Sequence, residues 1–436
     1  MSAQTANGKT VMVVGGGGRG HALAWALARS PSVGRVIVAP GNAGTTWESA
    51  TGRALCESVS IAPEAIDTLL HLAQDQGVDL TVVGPEDPLV AGIVDRFTAS
   101  GLTIFGGTAK AAQLEASKAF AKSFMGRHGI PTAAYGTFTD YREARDYALA
   151  FGRPVVVKAD GLAEGKGVIM CDTPAQADAA LRQIMGDRAF GAAGDRVVIE
   201  ERLTGLELSA LAFCDGERCA LMPIARDHKR ALDGDRGLNT GGMGAICPVP
   251  DVDADLIRQI EDRVIRPTLE GMKAEGASYS GVLYAGLMLT PDGMRVLEFN
   301  CRFGDPETQA ILPLFEGDLA EVMTACAHGR LDPASIAWRP GVCATVVAAS
   351  DGYPGAYAKG LPISGLDADI PDTIVFHAGT LERDGAIVTA GGRVLSVSGW
   401  GDTLEQALDR AYRRIEHLHF RGMFYRRDIG RVGEAR

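Results

Sequence analysis

The chain has no C-x-x-C pair, no long basic run, no apolar stretch of membrane length and, from Met1 to Trp47, no aspartate or glutamate. Each absence removes a class of explanation. Eight scattered cysteines argue against a zinc knot or a disulfide framework, and a reducing cytoplasm is the simplest compartment. A formal net charge of −11 disfavours nucleic acid as a partner, although a local basic pocket can still take a small anion. Runs such as "GVLYAGLML" at 281–289 are too short to cross a bilayer, and "MSAQTANGKT" lacks the apolar centre of a signal peptide.

What is present is enough apolar sequence for several cores. A chain of 436 residues is too long for one, so two to four domains are expected. Over 8–107, strand-like runs ("TVMVV", "RVIVAP", "VDLTVVGP", "LTIFG") alternate with amphipathic helical stretches. That alternation predicts an α/β domain with a parallel sheet and helices on its faces. One long helix is expected over 108–129, closed by Gly129 and Pro131. A compact strand–helix unit follows from 131. The region up to 325 carries several strands and a helix at 253–275. The last segment holds strands and the amphipathic "TLEQALDRAYRRIEHLHF".

Gly15, Gly17 and Gly20 fit G-x-G-x-x-G between a strand and a helix, which raises a dinucleotide-dependent dehydrogenase as one reading. That fold also uses an acid roughly 20 residues on to hold the ribose, and none is there. The second strand ends instead in "PGNAGT". Its Gly41, Asn42, Ala43, Gly44 and Thr45 offer backbone N–H groups suited to a phosphate. The third loop, "GPEDPL", brings Glu86 and Asp87 to the same sheet edge, where they could attract an amine or a ribose; helix capping by Asp87 is the competing reading.

"VVVKADGLAEGKGVIM" sets Lys158 at a strand end and Gly165, Lys166 and Gly167 in a hairpin whose amides can approach phosphates. It is not a Walker loop, because the G-x-x-x-x-G-K-[ST] order is absent. Further on, "VVIEERL" ends in Glu200, Glu201 and Leu203, and Glu207 follows in "GLELS". Backbone at such a hinge can take adenine, and a carboxylate can take ribose hydroxyls. In "EFNCRFGDPETQ", Glu298, Asn300 and Arg302 are two apart and share one face of a strand.

Strand–Lys158, Gly-rich loop, "IEERL", Glu207 and Glu298-x-Asn300-x-Arg302, in that order, resemble an ATP-grasp ligase. "PGNAGT", "VGPEDPL", "SKAF", "DHKR", "NTGGMGA", "EFNCRFGDPETQ" and, near the end, "GYPG" and "GGRVL" are similar to the glycinamide ribonucleotide synthetase family. The resemblance runs over about residues 10 to 430. It implies an N-terminal Rossmann-like domain (8–107), an ATP-grasp region (108–325, with a lid at about 131–194 and a central part at about 195–325) and a C-terminal α/β domain (326–436). It implies ATP-dependent ligation of glycine to phosphoribosylamine through glycyl phosphate, in purine biosynthesis, with Mg²⁺ or Mn²⁺. Partners would be small molecules alone, with no nucleic acid or membrane, in a monomer or weak oligomer.

On the same resemblance, Glu298 and Asn300 would hold the metal, and Lys118, Lys158, Gly165, Lys166, Gly167, Glu200, Glu201, Leu203 and Glu207 would hold ATP. Gly17, Gly18, Arg19, the 41–45 turn, Glu86, Asp87, Asp227, His228, Lys229, Asn239, Thr240, Gly241, Gly242, Met243 and Arg302 would hold the substrates. Arg302, Lys158 and Asp227 would act in catalysis. Departures from the family pattern stand at Gly20, Gly107, Glu164, Arg226, Leu238, Ile246 and Cys247 and are expected around the acceptor crevice. They keep two rivals open: a paralogous ligase using another amine or amino acid, and a ribonucleotide-binding regulator without catalysis.

Overall fold

The computed structural model describes residues 8–50, 52–162 and 167–431. Its N-terminal sheet has the order Leu55–Ser58, Val33–Pro40, Lys9–Gly15, Leu80–Val83, Ile104–Phe105, every pair parallel. The strands read as near-continuous apolar runs because helices cover both faces. The order reverses beside Lys9–Gly15, so the loops after Gly15, Pro40 and Val83 open at one sheet edge.

The expected long helix at 108–129 is two pieces, Gln113–Ala116 and Lys118–Arg127. Ser117 between them is extended, and its hydroxyl accepts from Phe120 N at 3.0 Å. A serine at a helix start satisfies an N–H the helix cannot, and here that role overrides helical continuity. The same hydroxyl donates to Asp160 Oδ1 at 3.0 Å, which ties the break to the next unit.

That unit is a four-stranded antiparallel sheet ordered Tyr135–Phe138, Val197–Glu201, Val155–Ala159, Val168–Cys171. Helices Tyr141–Ala150 and Pro174–Leu181 cover it, each started by a side-chain cap, Asp140 and Thr173. Its core, including Ala144, Val157, Leu181, Ile184 and Ile199, is separate from the rest of the molecule. A body with its own core can turn as a lid.

The central antiparallel sheet is Cys219–Leu221, Leu206–Asp215, Ser280–Thr290, Gly293–Asn300. The C-terminal sheet centres on Val342–Ser350, Arg393–Gly401 and Thr373–His377, packed on helix Leu404–Glu416. It also recruits Gly244–Cys247 and Arg226–Asp227 from the middle of the chain. The segments carrying "DHKR" and "NTGGMG" are therefore built onto the last domain's sheet. No helix among the described residues is long and apolar enough to cross a membrane.

Candidate active site

A cleft of about 800 Å³ runs between the lid, the central sheet and the edge of the N-terminal domain. Its size suits a nucleotide with a second small ligand. One wall is the end of strand Gly293–Asn300. Met294 and Val296 of that strand face the core, and strict alternation would send Glu298 after them. It does not follow. Gly286 pairs with Glu298 while the next residue, Leu287, pairs with Val296, so Leu297 is an unpaired extra residue. This bulge reverses the phase: Phe299 is buried, and Glu298 and Asn300 line the cleft.

Burial alone would raise the Glu298 pKa. The charges of Lys229, Lys158, Lys118 and Arg302 outweigh that effect and hold it at about 2. Arg302 is gripped by the protein: Nε donates to Glu86 Oε2 at 3.1 Å, and Nη2 reaches Glu115 Oε1 at 2.8 Å and Asn300 Oδ1 at 3.1 Å. Those carboxylates raise its pKa against the opposing effect of burial. Glu86 also pairs with Arg19 at 3.5 Å, and Arg19 Nη1 donates to Phe303 O at 2.7 Å. The N-terminal domain is thus pinned to the wall by two arginines.

On the lid side, Glu200 is buried and bridges Lys158 and Lys122, which is itself 2% exposed. Burial lowers the Lys122 pKa, and Glu200 opposes that drop only in part, leaving it at about 8. Lys118 Nζ donates to Gly161 O at 2.9 Å. Glu201 pairs with Arg153 at 2.5 Å, and Leu203 and Gly167 line the cleft. Glu207 pairs with Lys229. The carboxylate of Glu200 is therefore taken up by the two lysines. Gly165 and Lys166, with the departure Glu164, lie outside the described residues.

On the opposite side, Asn239, Thr240 and Gly241 face the cleft beside Asp227 and Lys229. Arg393 Nη1 donates to Gly241 O at 2.6 Å and to Asp305 O at 2.7 Å, and Tyr353 OH accepts from Gly241 N at 3.1 Å. The C-terminal "GGRVL" and "GYPG" motifs thus clamp this turn. Gly242 has φ +110°, and an added Cβ would stand 2.6 Å from Asp227 Oδ1 and 2.4 Å from Pro306 Cδ. Only glycine allows that turn and that approach. Burial raises the Asp227 pKa well above the usual carboxylate range, and Glu307 adds to the rise.

Several expected contacts fall elsewhere. His228 lines the cleft but is buried, with Nε2 accepting from Gly430 N at 3.1 Å and Nδ1 against Gly244 O at 3.3 Å, so both ring nitrogens serve the backbone. Met243 is fully buried in a backbone bridge between His228 O and Val347 N. In the 41–45 turn, Thr45 is fully buried, and the Asn42 amide donates to Gly16 O at 2.9 Å and His377 O at 2.8 Å. Neither they, nor Gly41, Ala43 and Gly44, nor Gly17 and Gly18, line the cleft; nor does Asp87, inside the short helix Glu86–Val90. Of the residues expected at this edge, Arg19 and Glu86 line the cleft.

The departures are dispersed as well. Ile246 and Cys247 are buried in the core, Leu238 is 67% exposed, Gly20 and Gly107 are outside the cleft, and of those described only Arg226 lines it. Glu115, Lys122, Tyr284, Asp305, Glu307 and Arg393 were not anticipated as cleft residues. Asp305, Glu307 and Arg393 stand inside quoted motifs, and Lys122 is one helical turn after Lys118.

Three family models match in succession: the N domain of phosphoribosylglycinamide synthetase at residues 9–115, its ATP-grasp (A) domain at 116–308 and its C domain at 343–432. The phosphoribosylamine–glycine ligase of Vibrio cholerae is 49% identical over 428 residues, covering 98% of this chain and 99% of that one. The trifunctional purine biosynthetic protein adenosine-3 of Gallus gallus is 52% identical over 423 residues, which are 96% of this chain and 42% of that longer protein. The crystal structure of phosphoribosylamine–glycine ligase from Thermotoga maritima superposes with a TM-score of 0.82 at 36% identity, over 96% of this chain and 100% of that one.

Proposed function

The chain belongs to the phosphoribosylglycinamide synthetase family, and from that membership we propose how its cleft works. The activity is that of an ATP-dependent carbon–nitrogen ligase, joining glycine to phosphoribosylamine in purine biosynthesis. A carboxylate is a poor electrophile. Transfer of the γ-phosphoryl group of ATP to a glycine carboxylate oxygen releases ADP and leaves an acyl phosphate. The amine of phosphoribosylamine attacks the carbonyl carbon, the C–O bond to phosphate breaks, and the amine proton leaves to solvent or base. The protein's part is alignment and charge compensation.

Lys118 and Lys158 face the phosphates, Glu201 to Leu203 offer backbone to the base, and Glu207 with Lys229 stands at the ribose. The carrying observation is that Glu298 and Asn300 meet these lysines in one cleft. The enzyme uses ATP with a divalent cation. No group of three His, Cys, Asp or Glu among the described residues could hold a metal alone. One ionised carboxylate and one amide oxygen fit a hard cation that draws its other ligands from water and triphosphate, Mg²⁺ before Mn²⁺. Such an ion would neutralise charge on the transferring phosphoryl group. Arg302 keeps Asn300 turned to that place, and Asp227 stands at the acceptor end.

The substrates are small molecules. We place the enzyme in the cytoplasm as a monomer or weak oligomer, with no role for membrane or nucleic acid. The domain limits proposed are 8–107, 108–325 and 326–436; the family models meet at residues 115 and 116. The test is ADP release from ATP and freshly made phosphoribosylamine with glycine and with a panel of amino acids. Release with glycine alone is expected; release only with another amino acid would replace the substrate, and none at all would make the chain a binder.

A further inference from the structure

Lys122 lies one turn after Lys118 on helix Lys118–Arg127, lines the cleft and is almost wholly buried. A buried ammonium is costly unless its charge is paired and its N–H groups find acceptors. Two partners meet that need. Nζ pairs with Glu200 Oε2 and donates to Thr132 Oγ1 at 2.7 Å.

Both partners belong to the lid's attachments. Thr132 stands where the chain enters the lid, and its hydroxyl donates to Val296 O of the central sheet at 2.6 Å. Pro131 O accepts from Val296 N at 2.7 Å, so the entry is bonded to that strand twice. Glu200 is on Val197–Glu201, the strand by which the chain leaves the lid. Its other oxygen, Oε1, pairs with Lys158, whose Nζ lies 3.5 Å from the carbonyl oxygen of Leu297, the bulge residue next to Glu298. The contacts close a ring: Lys122, Thr132, Val296 and Leu297, Lys158, Glu200 and back to Lys122. Burial would raise the Glu200 pKa, but Lys158 and Lys122 outweigh it and lower it. One buried carboxylate thus holds two ammonium groups, one more than its charge requires.

We propose that Lys122 is a positioning residue: it is the permanent counter-ion of Glu200, and it thereby leaves Lys158 free to turn its charge to the ATP phosphates. This rests on the ATP-dependent function proposed above. Without Lys122, a nucleotide that drew Lys158 away would leave Glu200 a buried, unpaired carboxylate, which is strongly unfavourable. With Lys122 in place the exchange keeps that carboxylate paired. Thr132 holds Lys122 at the joint between lid and central sheet. Lys122 keeps the same partners before and after ATP arrives and does not itself touch the nucleotide.

The experiment measures Kd for ATP by calorimetric titration with Mg²⁺ present, beside KM for ATP and kcat in the full reaction. It compares the intact enzyme, Lys122→Met, and Lys122→Met combined with Glu200→Gln. ATP binding and turnover by the intact enzyme test the function itself, independently of Lys122. In Lys122→Met we expect Kd and KM for ATP to rise about 30-fold or more, the scale of losing one partner of a buried charge pair, with kcat changed less than about threefold. Adding Glu200→Gln removes the carboxylate that holds Lys158 back, so Kd should return to within about fivefold of the intact enzyme. A double variant as weak as Lys122→Met, or weaker, would make Lys122 a nucleotide contact or a packing residue and overturn the proposal. An unchanged Kd in Lys122→Met would overturn it too. Should Lys122→Met fail to fold, Thr132→Val loosens Lys122 by removing its hydroxyl partner. Kd for ATP should then rise about fivefold, the scale of one hydrogen bond, and no rise would overturn the proposal.

Discussion

The two ends of the cleft are built in opposite ways. The end proposed for the nucleotide is made of side chains in ion-paired groups: Lys122–Glu200–Lys158, Lys229–Glu207 and the Glu86–Arg302–Glu115 knot. The end proposed for the acceptor is built on backbone, with a glycine turn held by Arg393 and Tyr353 from another domain. Ion pairing offsets much of the charge that the first end buries. A backbone turn gives the second end a fixed outline, which is what selecting a small molecule requires. Damage to the first should therefore weaken ATP use, and damage to the second should spare it.

The strongest test of that contrast is Glu298→Ala. Removing a charged group aimed at the reacting centre should cut ADP release by about 10²–10³-fold. Circular dichroism should show the fold intact, and normal turnover would strip Glu298 of its role. Next is Gly242→Ala, at the other end. A Cβ there meets Asp227 and Pro306 and forces a strained backbone conformation, which costs about 1–3 kcal/mol. Acceptor-side kcat/KM should fall about 10-fold or more while KM for ATP stays put; a raised KM for ATP would dissolve the distinction between the two ends.

The smallest expected effect concerns pH and the seam between the N-terminal and C-terminal domains, where His377 N donates to His21 Nδ1 at 2.9 Å. Burial, with help from His377, lowers His21 to about 3, while burial lowers His377 and His228 to about 4. The unfolded chain binds protons at about pH 6.5, above these folded values, so stability is full above about 6.5 and falls as pH drops toward 4. Melting followed from pH 7 to 4.5 should show Tm falling by several degrees, and His21→Asn should flatten the slope. An unchanged slope would remove the seam as the acid-sensitive element.

How much of this was readable beforehand differs between the same two ends. The N-terminal parallel sheet, the lid strands and the residues Lys158, Glu207, Glu298 and Asn300 were visible, because buried strands, glycine loops and charged strand ends leave local marks. The acceptor end was less so. Pairing of Gly244–Cys247 with Val342–Ser350 joins residues about a hundred apart, and no local pattern encodes it. Arg393 and Tyr353 act through backbone groups of a distant turn, so their residue types alone do not announce a site. His228 sits in a motif yet serves the backbone, and Ser117 breaks a helix that periodicity continues. Glu307 reads as one more helix-start acid until Ser209 and Tyr284, from two other strands, are seen to hold its carboxylate.

The extra residue at Leu297 has a consequence for how this strand can change over time. Spacing and orientation are coupled here like the two scales of a vernier: the apolar beat of Met294 and Val296 locks onto the core, and one surplus position slides the polar beat of Glu298 and Asn300 half a cycle past it. Replacing Leu297 leaves that offset intact, whereas losing it would bring both beats into step and carry the carboxylate inward. The segment between Val296 and Glu298 is thus constrained in length more tightly than in composition.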